Sequence, residues 1–213
     1  MAFIEGADGN DLLINTPLSD RIFVRNSNDD LRGRDGDDRL FGEDGNDRLL
    51  GQNVNDLLAG GFGDYLMRCG DGGNDITIGG VGSDELDGGN NRLIGNDGDD
   101  QISGCQGNDI INGGSDNDLL FGYDGNDTMT GDTGGNFFVF NVAVATGVDV
   151  VTDFEVNIGH IHLDNSGFAN FNAVLAATTQ DGIDTVIDLG AGDTVRLQNV
   201  GVNSLDAGDF IIL

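Results

Sequence analysis

A nine-residue unit recurs through most of the first 140 residues. Rows are aligned on an Asp that stands two residues before an apolar side chain. Those starting at 33 (GRDGDDRLF), 42 (GEDGNDRLL), 104 (GCQGNDIIN), 113 (GGSDNDLLF) and 122 (GYDGNDTMT) share one template. It reads Gly, any, any, usually Gly, polar, Asp, any, apolar, any. Rows at 79 (GGVGSDELD) and 95 (GNDGDDQIS) fit it too, and the frame extends to rows at 6, 15, 24 and 131. The sixth position is Asp at 11, 20, 29, 38, 47, 56, 75, 84, 100, 109, 118 and 127. The eighth is apolar in nearly every row from Leu13 to Phe138. Self-similarity at a fixed short period constrains the chain to a solenoid.

The template predicts its own geometry. Positions seven to nine make a short strand, and only the eighth side chain points inward, because alternate side chains take opposite faces. The first six residues make a turn, where glycine permits positive φ and lets carbonyls point into the turn. Two rows then form one coil of an all-β, parallel β-roll. Turns two rows apart stack at about 4.8 Å, the strand spacing. Carboxylates stacked at that distance repel unless a cation lies between them. Carboxylate and carbonyl oxygens are hard ligands and suit Ca²⁺, with several ions along the roll. The candidate ligands are Asp29, Asp38, Asp47, Asp56, Asp75, Asp84, Asp100, Asp109, Asp118 and Asp127, with the fourth-position glycines Gly36, Gly45, Gly82, Gly98, Gly107 and Gly125. The best stacked pairs are Asp109 with Asp127, Asp100 with Asp118, Asp84 with Asp100, and Asp38 with Asp56; Asp29 with Asp47 is weaker.

These rows resemble the RTX (repeats-in-toxin, haemolysin-type) calcium-binding nonapeptide repeat over roughly residues 6 to 140. Residues 137–213 are similar to the C-terminal part of serralysin-type RTX domains. That resemblance implies that FFVFN (137–141), DVVTDFE (149–155), DTVIDLGAGDTVRLQNV (184–200) and the terminal DFIIL are antiparallel strands closing the roll. It also implies export through a type I secretion exporter, with the C-terminus as signal. The expected division is a roll over 1–140, irregular at about 52–94, and a β-rich C-terminal cap over 141–213.

The departures from the template are informative. Rows 15 and 24 have no Gly, and row 51 has Val54 at the fourth position. Row 60 places Tyr65 in the Asp slot. Cys69 reads as an extra residue before row 70 (GDGGNDITI), which turns Thr77 inward and Ile76 and Ile78 outward. A one-residue bulge burying Ile76 would mend that pattern. The stretch 88–94 (GGNNRLI) is two residues short, with Asn91 in the Asp slot. A damaged middle is therefore expected between two sound blocks. Beyond the repeats, NFNAVLAATT (170–179) is a candidate short helix.

Charge excludes several functions. There are 9 basic residues against 38 acidic ones, a net charge of −29. Such a chain repels the phosphates of nucleic acid and anionic membrane surfaces. No apolar run approaches the ~20 residues of a membrane-spanning helix. The N-terminus, MAFIE, has neither the basic nor the apolar part of a secretory signal peptide.

Catalytic constellations are few: no His-Glu-x-x-His zinc motif and no Gly-x-Ser-x-Gly elbow. His160 and His162 form a His-x-His pair on a strand, read as surface histidines rather than metal ligands. Cys69 and Cys105 lie two coils apart, about 9.6 Å at the strand spacing, which favours free thiols over a disulfide. The expectation is a secreted, extracellular calcium-binding module, non-catalytic by itself, that folds on meeting Ca²⁺ and supports type I secretion. The alternatives are a surface-binding protein (an adhesin or a binder of extracellular polysaccharide) or the C-terminal part of a larger secreted enzyme such as a protease, lipase or alginate epimerase.

Overall fold

The computed structural model describes residues 2–70, 73–88, 91–142 and 146–213. Strands alternate between two faces as the chain advances. The first eight are β1 (Phe3–Glu5), β2 (Leu12–Ile14), β3 (Arg21–Phe23), β4 (Asp30–Arg34), β5 (Arg39–Asp44), β6 (Arg48–Gln52), β7 (Leu57–Phe62) and β8 (Leu66–Arg68). The next eight are β9 (Ile76–Val81), β10 (Glu85–Asp87), β11 (Arg92–Asp97), β12 (Gln101–Ser103), β13 (Ile110–Ser115), β14 (Leu119–Phe121), β15 (Thr128–Thr133) and β16 (Phe137–Asn141). The remainder are β17 (Val148–Val151), β18 (His160–Asp164), β19 (Thr178–Asp181), β20 (Asp184–Gly190), β21 (Asp193–Leu197) and β22 (Phe210–Ile212), with the helix α1 (Phe171–Ala176) between β18 and β19.

Odd-numbered strands up to β17 form one face of the roll and even-numbered ones the other. The first face is a 12-stranded sheet completed by β21, β20 and β19; the second is a 10-stranded sheet ending β16–β18–β22. Within the repeats each strand pairs in parallel with the strand one coil away: Leu40 is in register with Leu58, and Leu49 with Met67. The fold is the expected parallel β-roll. Eighth-position side chains fill its interior, and Leu31, Leu40, Leu49, Leu58, Met67, Leu86, Leu93, Ile102, Ile111, Leu120 and Met129 are all fully buried. Each contributes about 1.5–3 kcal/mol of burial.

The C-terminal residues differ from expectation in strand direction. β16 runs parallel to β14 and β18, β17 parallel to β15 and β21, and β22 parallel to β18. Among the described residues, only β19–β20 and β20–β21 are antiparallel. The chain keeps winding after the glycine-rich turns end, because Phe138, Val151, Ile161 and Leu163 continue the interior column. The helix α1 lies within 170–179, with the Asn170 side chain accepting from the Ala173 amide at its start.

Row 70 needs no bulge. Thr77 is fully buried in register with Leu58 and Leu93, and Ile76 is exposed. The hydroxyl of Thr77 meets the Cys69 thiol at 2.8 Å, which removes the penalty of an unpaired buried hydroxyl. Cys69 is not the surplus residue. It stands at the first position of its row, with its carbonyl beside Gly51. Gly70 and Gly73 stack on the second and fourth positions, over Gln52 and Val54. The surplus falls between them, in residues 71–72, outside the described residues.

Candidate metal centre

The two edges of the roll are columns of stacked turns. One column carries Asp11, Asp29, Asp47, Tyr65, Asp84, Asp100, Asp118 and Asn136 at the sixth position. The other carries Asp20, Asp38, Asp56, Asp75, Asn91, Asp109, Asp127 and Asp149.

In both columns Oδ1 of the sixth-position Asp or Asn accepts the backbone N–H of the sixth residue one coil earlier, and Tyr65 alone among the residues from 29 to 149 in these columns breaks that ladder. Asp29 donates to Asp47 at 2.8 Å, Asp38 to Asp56 at 2.8 Å, Asp84 to Asp100 at 2.7 Å, Asp100 to Asp118 at 3.0 Å and Asp109 to Asp127 at 2.9 Å. The five sequence-predicted pairs are therefore coil-to-coil neighbours. A second ladder runs the opposite way on the outside. The fifth-position side chain accepts the amide of the fifth residue one coil later, as Asn28 does from Asn46 and Asn108 from Asn126. The polar fifth position of the template is explained by that bond.

The first ladder uses only half of each carboxylate. The Oδ2 atoms of Asp29, Asp38, Asp47, Asp56, Asp75, Asp84, Asp100, Asp109, Asp118 and Asp127 are buried and have no hydrogen-bond partner. Eight of them face the first-position glycine of their own row; the rows of Asp29 and Asp75 have Val24 and Cys69 there instead. A Cβ on Gly33 would stand 2.7 Å from Oδ2 of Asp38 and 2.6 Å from the carbonyl of Gly51, and one on Gly104 would be 2.5 Å from Oδ2 of Asp109 and 2.8 Å from the carbonyl of Gly122. Gly51, Gly79, Gly95, Gly113 and Gly122 are tighter still. A carboxylate oxygen and a carbonyl from the next coil thus share a cradle that only glycine leaves open.

The fourth-position glycines have a different reason. Gly36, Gly45, Gly82, Gly98, Gly107 and Gly125 have φ between 102° and 143°. A Cβ on Gly45, Gly82, Gly98 or Gly125 would strike the carbonyl of the fourth residue one coil earlier. Those carbonyls therefore point along the column.

Burial dominates the electrostatics. It pushes the carboxyls of Asp38, Asp47, Asp75, Asp84 and Asp127 up to about 6, that of Asp118 to about 7, and those of Asp56, Asp100 and Asp109 to about 8. The accepted amide opposes the rise, and neighbouring carboxylates add to it at most of these positions. Asp29 is raised for the same reasons.

Among the described residues no three His, Cys, Asp or Glu side chains converge as a metal-binding group. An ion in these turns would take most of its ligands from carbonyls, with few carboxylate oxygens. That donor set fits Ca²⁺, which takes six to eight oxygens in flexible geometry, and does not fit Zn²⁺. His160 and His162 project from β18, where His160 stacks on Phe137 at 4.8 Å and Nε2 of His162 lies 3.1 Å from Asp164.

Two slots differ chemically. The Tyr65 ring lies against Gly42 and Gly60, where the other rows place Oδ2, and its hydroxyl donates to the Glu43 carbonyl at 2.6 Å. Asn91 keeps the ladder, accepting from Asp75 at 2.9 Å, but turns a buried, unpartnered Nδ2 toward Gly88. An amide donor there repels a cation.

Two acidic residues extend the columns beyond the residues read as ligands. Asp149 accepts the Asp127 amide at 3.0 Å and is pushed up to about 8 by burial, then by Asp127 and Asp193. Asp193 accepts the Gly147 amide at 3.0 Å. The available signal was Gly147, Asp149 and Val151 at template positions four, six and eight. It was hidden because Asp149 follows Asp127 by 22 residues instead of 18.

No curated protein matches the chain. Among solved structures, the extracellular lipase LipA from Serratia marcescens matches at 17% identity with a TM-score of 0.33, over 99% of this chain and 42% of the lipase. The chain thus spans less than half the length of that protein. A family model described as the RTX calcium-binding nonapeptide repeat matches residues 24–58, 87–120 and 104–138. The unmatched residues 59–86 contain Tyr65, Cys69 and the surplus residue. With the stacked Gly–Asp turns they encode, the matched segments carry RTX calcium-binding nonapeptide repeats.

Proposed function

We propose that this chain is a calcium-triggered folding module of a secreted protein, non-catalytic by itself, with several Ca²⁺ ions held in its two turn columns. The ten buried, unpartnered Oδ2 atoms carry the reading. Leaving a buried charged oxygen without a partner is costly, and a cation between coils removes that cost at every step. Ca²⁺ would be held by Oδ2 of Asp109 and its equivalents, with carbonyls of the first and fourth positions. The ion supplies charge neutralisation and cross-links successive coils. The protein's part is to preset the carbonyls through Gly36, Gly45, Gly82, Gly98, Gly107 and Gly125.

Mass action then sets the place of folding. A site with a Kd of about 10⁻⁴ M contributes about 1.4 kcal/mol in about 10⁻³ M calcium, and almost nothing at cytosolic levels. A chain that stays unfolded inside the cell suits export through a narrow type I channel, followed by folding outside. The tail from Asp209 to Leu213 is the export signal in this reading, with residues 1–140 as the calcium roll and 141–213 as its cap.

Far-UV circular dichroism tests the switch. The spectrum of the repeats in EGTA should be mostly coil, and millimolar Ca²⁺ should restore the β signal while Mg²⁺ does so poorly. A spectrum indifferent to EGTA would overturn the proposal.

A further inference from the structure

The two ends of the roll are finished differently. At the C-terminal end the interior is closed. Val174 of α1 is fully buried, Leu189, Val200 and Leu205 are buried too, and the Phe171 ring lies 5.5 Å from that of Phe210 in β22. The N-terminal end has no such plug. β1 and β2 begin the two sheets, and among the described residues no strand pairs with their outer edges. Ile4 and Leu13, the inward residues of this first coil, are only partly buried, whereas Ile22 and Leu31 one coil later are fully buried. The outward side chains show the same gap. Phe3 is 66% exposed and Leu12 59%, with Ile14 and Leu18 exposed near them. Leu66 and Leu119 hold the position of Leu12 in coils with a neighbour on each side, and they are half-buried.

A free strand edge is a template for further pairing, and proteins blunt such edges with charge, proline or a bulge. β2 (Leu-Leu-Ile) carries no charge in a chain with 38 acids and 9 basic residues, and Glu5 of β1 is paired with Arg25 of the next coil. The occupant of this end must offer two edges at once. β1 and β2 terminate opposite walls of one interior, so a single added strand would cover one edge and leave the other, with the mouth of the core, in water. A second copy of this chain covers the whole end. Because its C-terminal end is closed, the coil it presents is its own first one.

We propose that two copies of this chain join N-terminal end to N-terminal end, β1 on β1 and β2 on β2, about a two-fold axis normal to both sheets. That symmetry makes each new strand pair antiparallel. The pleat sets the register, because inward residues must stay inward: Ile4 lies opposite the same residue of the second copy, and so does Leu13. Leu12 then faces Ile14 of the second copy. The contact is isologous and closes at two copies. It also keeps acids apart. The axis sets the turn 6–11 of each copy against the turn 15–20 of the other, so Asp8 and Asp11 face Thr16, Pro17 and Leu18 and not their own equivalents. The inference rests on the folded roll and not on which ion folds it.

Sedimentation velocity of the full chain in millimolar calcium decides it. Wild type should run at twice the mass of the single chain and dissociate on dilution. Leu12→Lys with Ile14→Lys should weaken association on the order of tenfold or more, because like charges then face each other across the new strand pair. Leu12→Lys with Ile14→Glu should restore it, since the two-fold axis sets the opposite charges face to face. That rescue separates the antiparallel register from a simple loss of apolar surface. Ile110→Lys, at an exposed position on the outside of the 12-stranded sheet, should associate as wild type does. Circular dichroism of every variant establishes that the fold is kept. A monomeric wild type, species that grow beyond the dimer, full association of the first double variant, no rescue by the second, or dissociation by Ile110→Lys would each overturn the proposal. Such a failure would leave the calcium dependence of the dichroism untouched, so the two readings fail separately.

Discussion

A sixth-position aspartate makes two contacts with opposite demands. Oδ1 serves the backbone of the preceding coil, and Oδ2 is buried beside glycine with nothing to accept from. Asp109→Ala therefore removes both a coil-to-coil hydrogen bond and a proposed ion ligand, whereas Asp64→Ala removes an exposed member of the outer ladder. Calcium titration calorimetry should show Asp109→Ala losing bound calcium and Asp64→Ala retaining all of it. Asp109→Asn separates the two contacts, because it keeps the acceptor for Asn91 and copies the amide donor that Asn91 already places in its own slot.

Tyr65 is the converse case. Its ring and hydroxyl occupy a turn that other rows leave open, so Tyr65→Asp should raise the calcium stoichiometry. An unchanged or lower stoichiometry in a folded variant would contradict the assignment of Tyr65 as a plug.

The raised carboxyls add a pH dependence. Without calcium, Asp56, Asp100 and Asp109 hold protons in the roll up to about pH 8, while the unfolded chain releases them near pH 4. Folding takes up protons across that window, so stability falls as pH rises through it. In EGTA the β signal should be stronger at pH 5 than at pH 8, and the opposite order would contradict the burial of these groups.

At the scale of elements, the repeat template made β2 to β15 legible, because a single apolar position per row leaves one way to pack. It misjudged Thr77. A polar residue at an inward position suggested a bulge, but a thiol eight residues earlier satisfied its hydroxyl. Only three-dimensional stacking brings Cys69 there. The template also went silent after residue 140. The strands β18 and β22 continue the parallel winding without the template's glycines, and β17 follows Gly147 only after a spacing of 22 residues instead of 18, so their direction could not be read from spacing.

The tail illustrates the consequence. Phe210 is buried in β22 against β18, and Asp209 accepts the Asn157 amide at 2.6 Å and closes a capping box with Asp206. Deleting Asp209 to Leu213 should block type I secretion and, in the purified protein, lower the thermal midpoint in calcium. Secretion at the wild-type level would remove the export role from these residues, whatever the change in midpoint.

For the molecule as a whole, the interior is one side chain thick, and the turn columns carry most of its acids. Its cohesion in the absence of ions therefore rests on a narrow core working against dense like charge. The proposed ligand residues were legible as a pattern, because Asp at position six and Gly at position four recur with fixed spacing. The first-position glycines were legible as pattern but not as part of the cradle, since their role depends on an oxygen five residues later folding back against them. Asp149 was hidden by its longer spacing.

A crystal structure grown in millimolar calcium measures the central claim directly. Ordered ions should lie between coils, within 2.3–2.6 Å of Oδ2 of Asp109 and its equivalents and of the adjoining turn carbonyls, with none beside Tyr65 or Asn91. Ions beside Tyr65 and Asn91 but none beside Asp109 and Asp127, or turn columns in calcium with no ion at all, would contradict it.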